Sequence, residues 1–143
     1  MVVQIASGGN HSLALTINGY IYSWGSNAFG QLGNGMKGNC ENSPIEIISL
    51  RSVPIRQLSC GGSHSALLSY TGALYMWGKN EFGQLGLNDI QNRSLPTVQT
   101  TLRSQRIAFI DCGEEHTVAL TSDGGLFSWG AGMYGQLGHA KTR

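Results

Sequence analysis

The stretch "WGSNAFGQLG", residues 24 to 33, decides the fold because it returns twice along the chain. It reads "WGKNEFGQLG" at residues 77 to 86 and "WGAGMYGQLG" at residues 129 to 138. The offsets are 77 − 24 = 53 and 129 − 77 = 52 residues. A histidine repeats with the same two offsets, at His11, His64 and His116. Landmarks that share one period identify copies of one structural unit.

Each unit contains three strand-like runs before its glycine-rich loop. In the first unit these are "QIASGG" (4–9), the alternating run "HSLALT" (11–16) and the aromatic run "YIYSWG" (20–25). Asn18-Gly19 separates the second and third runs, and Asn-Gly is a strong signal for the tight turn of a β-hairpin. No window shows sustained helical periodicity of useful length. The sequence therefore predicts an all-β fold.

Both faces of these strands look covered. His11, Leu13 and Leu15 share one face of the second run, and the other face carries only small residues. Only 12% of the residues are charged, and glycine, with 21 copies, is unusually frequent. Small sheets that stack on each other through glycine-rich corners are typical of β-propeller blades.

The period therefore predicts a partial β-propeller of about three blades, with repeats at approximately 2–54, 55–106 and 107–143, the last one truncated. Propeller rings close with typically four to eight blades. An open stack leaves bare faces and unpaired edges, so we expect the chain to be a fragment of a longer polypeptide. Assembly of several copies into one ring is the alternative.

The third glycine-rich loop also matches a dinucleotide-binding fingerprint. Gly130, Gly132 and Gly135 have the spacing G-x-G-x-x-G and follow a short strand-like run. The equivalent loops carry Asn27 and Asn80 where this one has Gly132. Asn and Gly tolerate positive φ best, so we predict positive φ at all three positions and no cofactor. A second match, at Gly33, Gly35 and Gly38, follows no clear strand and has no helix after it, so it lacks the context that phosphate binding needs.

Composition and charge exclude several other classes. The formal net charge is +1 and no basic run marks a nucleic-acid or membrane surface. No apolar stretch is long enough to span a membrane, and the first residues do not read as a signal peptide, so we expect a cytoplasmic or nuclear protein. Three cysteines without a C-x-x-C spacing argue against a disulfide framework and a zinc site, and the loop residue Cys40 has no neighbouring histidine to make it a nucleophile.

The repeated segments resemble a known family. "IASGGNHSLAL" (5–15) and "LSCGGSHSALL" (58–68) are similar to the repeat motif of the regulator of chromosome condensation family, and "IDCGEEHTVAL" (110–120) is similar apart from Asp111. The resemblance implies blades from a seven-bladed propeller. The segments "GQLGLND" (83–89) and 102–139 resemble the propellers of small HERC proteins, which are ubiquitin ligases with a C-terminal HECT catalytic domain. That catalytic domain is absent from this chain.

Repetition favours structural roles for the most conspicuous residues. The histidine at the same position of every unit is interpreted as a buried imidazole that forms a hydrogen bond with the loop backbone. The tryptophans are interpreted as residues that pack the blades together. Glu114-Glu115 is interpreted as a solvated turn, and no residue is predicted to be catalytic. The predicted structural positions are His11, His64, His116, Trp24, Trp77, Trp129, Gly30, Gly33, Gly83, Gly86, Gly135 and Gly138.

The loops that differ between units are the predicted recognition surfaces, at 34–43 and 87–94. We expect them to bind a protein partner, either a substrate or a regulator of a HERC-type ligase. Guanine-nucleotide exchange on a small GTPase is the alternative that the family resemblance implies. The chain gives no indication of direct nucleic-acid binding. The predicted partner-contact residues are Asn34, Lys37, Asn39, Glu41, Asn88, Asp89 and Arg93.

Overall fold

A computed structural model of the chain describes residues 1–100, 102 and 106–131. Its regular elements are strands, with one short 3-10 turn at Ile48–Leu50. The strands are β1 (Val2–Ser7), β2 (His11–Thr16), β3 (Ile21–Gly25), β4 (Glu41–Glu46), β5 (Ile55–Cys60), β6 (His64–Ser69), β7 (Leu74–Gly78), β8 (Arg93–Val98), β9 (Ile107–Cys112), β10 (His116–Thr121) and β11 (Leu126–Gly130).

The strands form three antiparallel sheets in which chain order and spatial order agree. Blade 1 has the order β1-β2-β3-β4, blade 2 has β5-β6-β7-β8, and the described part of blade 3 has β9-β10-β11. The register repeats: His11 pairs with Gly25, His64 with Gly78, and His116 with Gly130. The all-β prediction and the partial-propeller prediction are confirmed.

The register also separates two rims of the stack. The upper rim holds the turns before β2, β6 and β10 and the long loops after β3 and β7, at residues 8–10, 26–40, 61–63, 79–92 and 113–115. The lower rim holds the hairpin turns at residues 17–20, 70–73 and 122–125. Gly9 N–H donates to Gly61 O (3.1 Å), so adjacent blades also bond backbone to backbone at the upper rim.

Two apolar clusters fill the seams between blades. The first seam, between blades 1 and 2, buries Leu13, Leu15, Leu58, Leu67 and Trp77 together with five further residues. The second seam, between blades 2 and 3, buries a matching set that includes Leu68 and Ile110. Adjacent sheets contact each other chiefly through their first and second strands. The blades therefore converge on one edge, as in a propeller.

The outer face of blade 1 carries the same residue types without a covering sheet. Ile5 is 62% exposed, whereas its repeat equivalents Leu58 and Ile110 are 6% and 0% exposed. The part of the chain that the structure describes supplies no sheet to cover this face. Apolar residues on both faces of a blade thus follow from stacking, because each blade is a partner for two neighbours.

Candidate protein interface

The repeated histidines join adjacent blades through a hydroxyl group. His11 Nε2 lies 2.8 Å from Ser65 Oγ in the next blade, and Ser65 Oγ donates to Gln31 O (3.1 Å) in the glycine-rich loop. The second seam repeats this contact, with 2.9 Å from His64 Nε2 to Thr117 Oγ1 and 2.8 Å from Thr117 Oγ1 to Gln84 O. The sequence predicts a direct bond from imidazole to loop backbone, but the structure places one hydroxyl between them.

This geometry and the burial of both rings together define their protonation state. Each hydroxyl gives its proton to a carbonyl oxygen, so it must accept a hydrogen from the imidazole Nε2. Both rings are buried, and burial lowers the pKa of His11 and of His64 to about 4. At neutral pH they are uncharged donors that hold two blades together.

The tryptophan of blade 2 reaches the same carbonyl group as Ser65. Trp77 is fully buried, and its indole Nε1 donates to Gln31 O (2.9 Å) across the first seam. A Cβ on Gly33 would lie 2.8 Å from that Nε1, and one on Gly86 would lie 2.6 Å from Trp129 Nε1. Gly33 and Gly86 also have positive φ, at 70° and 69°. The last glycine of "GQLG" is therefore required both by backbone conformation and by the indole beneath it.

The glutamine and first glycine of the motif complete the loop. Gln31 Oε1 accepts from Phe29 N–H (2.8 Å), and Gln84 Oε1 accepts from Phe82 N–H (2.9 Å). Gly30 and Gly83 have positive φ at 83° and 76°.

The remaining predicted structural residues are less buried or lie outside the described part of the chain. Trp24 is half-buried on the uncovered face of blade 1, and His116 is half-buried in blade 3. Gly132, Gly135 and Gly138 lie outside the described residues.

The prediction of positive φ at Asn27 and Asn80 is wrong. Among the described residues other than glycine, only Asn88 has positive φ, at 66°. The two buried amides instead bond the loop backbone: Asn27 Oδ1 accepts from Leu32 N–H (3.1 Å), and its Nδ2 donates to Met36 O (2.9 Å). Asn80 repeats the first bond with Leu85 N–H (2.9 Å) and donates to carbonyl oxygens later in its own loop. The asparagine at this position therefore serves to form hydrogen bonds through its side-chain amide, and not to adopt a positive φ.

The two variable loops lie side by side on the upper rim. Gly35 N–H donates to Ser94 O (2.9 Å), which joins the loop of blade 1 to the first residues of β8. Arg93 Nη2 forms an ion pair with Asp89 Oδ2 (2.8 Å), and its hydrogen bond lowers the pKa of Asp89. The remaining predicted contact residues are exposed or half-buried within these loops: Asn34, Lys37, Asn39, Glu41 and Asn88.

Sequence reasoning missed a cluster on the upper rim that spans three blades. Lys79 Nζ lies 5.1 Å from the ring centroids of both Phe29 and Phe82, and 3.4 Å from Glu115 Oε2. Gln84 Nε2 donates to the other oxygen of Glu115 (3.0 Å). The interpretation of Glu115 as a solvated turn residue is therefore wrong, because its carboxylate contacts both Lys79 and Gln84. A signal was present, because Lys79 and Glu115 are charged where the other units have small uncharged residues.

The described residues hold no group of His, Cys, Asp and Glu that could bind a metal ion. Cys60 and Cys112 are packed in the seams, and burial raises the pKa of both thiols, that of Cys112 to about 12. Cys40 is an exposed free thiol. None of the helical elements described reaches the length and apolarity that a membrane crossing needs.

Repeated four-stranded sheets, packed face to face by an imidazole–hydroxyl–carbonyl contact, define the blades of a β-propeller. Two family models described as the regulator of chromosome condensation (RCC1) repeat match the chain, one at residues 18–68 and 71–120 and one at 2–31, 55–84 and 107–136. The chain belongs to the RCC1 repeat family.

Individual proteins that are similar to the chain support this assignment. The chain is 50% identical over 141 residues to the probable E3 ubiquitin-protein ligase HERC4 of Rattus norvegicus, covering 99% of this chain and 13% of that protein. The crystal structure of human WBSCR16 is similar with a TM-score of 0.85 and 31% identity, over 98% of this chain and 36% of that one. Prp20p of Saccharomyces cerevisiae is similar with a TM-score of 0.81 and 30% identity, over 90% and 33%. The chain thus spans about an eighth of its HERC relative.

Proposed function

We propose that this chain is a non-catalytic protein-interaction module that docks a substrate or a regulatory partner for a HERC-type E3 ubiquitin ligase. The observation that carries the proposal is the pair of variable loops, which a hydrogen bond between Gly35 and Ser94 holds side by side on a rigid stack of blades. The likeness to HERC4 supports the ligase context. We place the protein in the cytoplasm, with the nucleus as the alternative.

The test replaces the loop segments 34–40 and 87–92 with Gly-Ser sequences of equal length in the ligase that contains the chain. We expect ubiquitylation of its substrate to fall while autoubiquitylation persists, because docking is lost and the chemistry is not. The matched control replaces the lower-rim turn 70–73 in the same way. Equal substrate ubiquitylation in all three proteins would contradict the proposal.

Nucleotide exchange on a small GTPase is the second candidate. It is favoured by the likeness to Prp20p, whose structural study names binding to Gsp1p and histones. The assay measures release of a fluorescent guanine nucleotide from a panel of small GTPases with and without the chain. Acceleration of release that is lost in the loop replacements would favour exchange over substrate docking.

A further inference from the structure

The inner part of the upper rim, where the three blades converge, carries a surface that the variable loops do not include. It combines the cluster of Phe29, Lys79, Phe82 and Glu115 with a shallow depression of about 320 Å³ beside it. The depression is lined by five glycines, two cysteines and Glu114. Glu114 and Glu115 are consecutive, so the depression and the cluster form one surface, here called the inner face.

The depression offers a negative charge and no free glycine amide. The N–H groups of its five glycines, Gly8, Gly9, Gly61, Gly62 and Gly113, all donate to carbonyl oxygens of the protein. A Cβ on Gly62 would lie 2.6 Å from Glu114 Oε2, so the carboxylate of Glu114 lies over the neighbouring blade. Backbone donors that are already satisfied do not attract an anion, whereas an exposed carboxylate attracts a cation.

Glu114 is not required by the repeat. The equivalent positions of blades 1 and 2 are Gly9 and Gly62, and the same turn forms in all three blades. The fold therefore accepts a residue without a side chain here. The carboxylate of Glu114 is therefore not needed to form the turn.

An apolar contact point lies next to this charge. Phe82 is 51% exposed although Lys79 covers one side of its ring at 5.1 Å. Exposed aromatic rings that are held in place by neighbours are enriched at the centres of protein interfaces. The inner face holds Glu114, Glu115 and Lys79, so its formal charge is −2 + 1 = −1.

We propose that the inner face binds a basic segment of a partner protein, with one Arg or Lys side chain in the depression against Glu114 and an adjacent apolar side chain on Phe82. Charge complementarity assigns this occupant, because the inner face is acidic and its one lysine is already paired with Glu115. The inference rests on the proposed function and adds to it the place and chemistry of the partner.

The probe is a display library of random dodecapeptides selected on the full chain, followed by anisotropy titrations of the enriched peptides. We expect peptides with Arg or Lys next to Leu, Ile or Phe. Glu114→Gln and Phe82→Ala should each weaken their binding by about tenfold, and higher salt should weaken it further. The matched controls are Glu46→Gln at the end of β4 and Tyr70→Ala, both on the lower side, which should change binding by less than about twofold.

A charge reversal guards against effects of folding. Glu114→Arg should abolish binding of the selected peptide. A peptide whose basic residue is changed to Glu should bind the Glu114→Arg variant again. Enrichment of acidic or neutral peptides, absence of enrichment, or binding that is unchanged in Glu114→Gln would each overturn the inference. Loss of substrate docking in the loop replacements alone, with Glu114→Gln unaffected, would overturn it and leave the proposed function standing.

Discussion

At the scale of single residues, the amides of Asn27 and Asn80 hold the glycine-rich loops closed. Each is buried and bonds backbone groups on both sides of its loop. The repeat predicts that this position matters, but the choice between backbone conformation and amide bonding cannot be made from the residue type. Asparagine suits both, and only the geometry decides.

Asn80→Gly tests this assignment, because glycine would satisfy any requirement on backbone conformation but removes the amide. We expect the free energy of unfolding to fall by about 2 to 3 kcal/mol, as buried bonds to Leu85 N–H and Gln91 O are lost. The control is Asn88→Gly, where φ is 66° and the side chain is exposed, and a change below about 0.5 kcal/mol is expected. Denaturant titration measures both, and equal stability of Asn80→Gly and the wild type would contradict the account.

The buried imidazoles of His11 and His64 make stability depend on pH. Their pKa is about 4 in the folded chain and about 6.5 when unfolded, so only the unfolded state takes up protons between these values. The stabilisation is complete above pH 6.5 and is lost as the pH falls to 4, by about 3 kcal/mol for each ring. Denaturant titrations from pH 7.5 to 4 measure the loss. A titration of His64 Cε1–H by NMR with a midpoint near 6.5 would exclude this explanation.

At the scale of the element, the glycine-rich loop is built as much for the next blade as for its own. The Gln31 carbonyl accepts from both Ser65 and Trp77 of the following blade, and Gly33 lies on the indole. The sequence predicts the strands and the repeated loop because their spacing is periodic. It does not predict which atoms meet across a seam, since those partners are 34 and 46 residues apart.

Gly33→Ala separates the two requirements on this glycine. The positive φ alone costs about 1 to 2 kcal/mol, and the contact with the Trp77 indole adds about 1 to 3 kcal/mol. Gly19→Ala is the matched control, because Gly19 has φ of 89° and nothing within 4 Å of an added Cβ. Thermal and denaturant unfolding should show a clearly larger loss for Gly33→Ala. The same loss in both variants would mean that the indole contact contributes nothing.

At the scale of the whole molecule, the two seams share the imidazole–hydroxyl–carbonyl contact and differ at the upper rim. The first seam has a neutral contact from Asn10 Nδ2 to Ser63 Oγ within 3.0 Å, and the second has the ion pair of Lys79 and Glu115. The common part follows from the repeat. The difference arises where single residues, such as Lys79 and Glu115, depart from the repeat. The effect of such residues cannot be predicted from the sequence, because their partners come together only when the blades stack.

The Lys79–Glu115 pair should couple blades 2 and 3. A double-mutant cycle with Lys79→Ala and Glu115→Ala is expected to give a coupling energy of about 1 kcal/mol, which is modest because Glu115 is a third exposed. High salt should reduce it. A coupling energy indistinguishable from zero at low salt would show that the pair does not hold the seam.

The central claim is that this stack of RCC1 blades binds a protein through its upper rim. The most direct measurement places a photo-crosslinking amino acid in the full chain, at Lys37 or Phe82 on the upper rim and at Ile48 or Tyr70 on the lower side. The account predicts that one partner protein crosslinks from the upper-rim positions and not from the lower ones. Crosslinks from Ile48 or Tyr70 alone, or none from either rim in a folded protein, would contradict it.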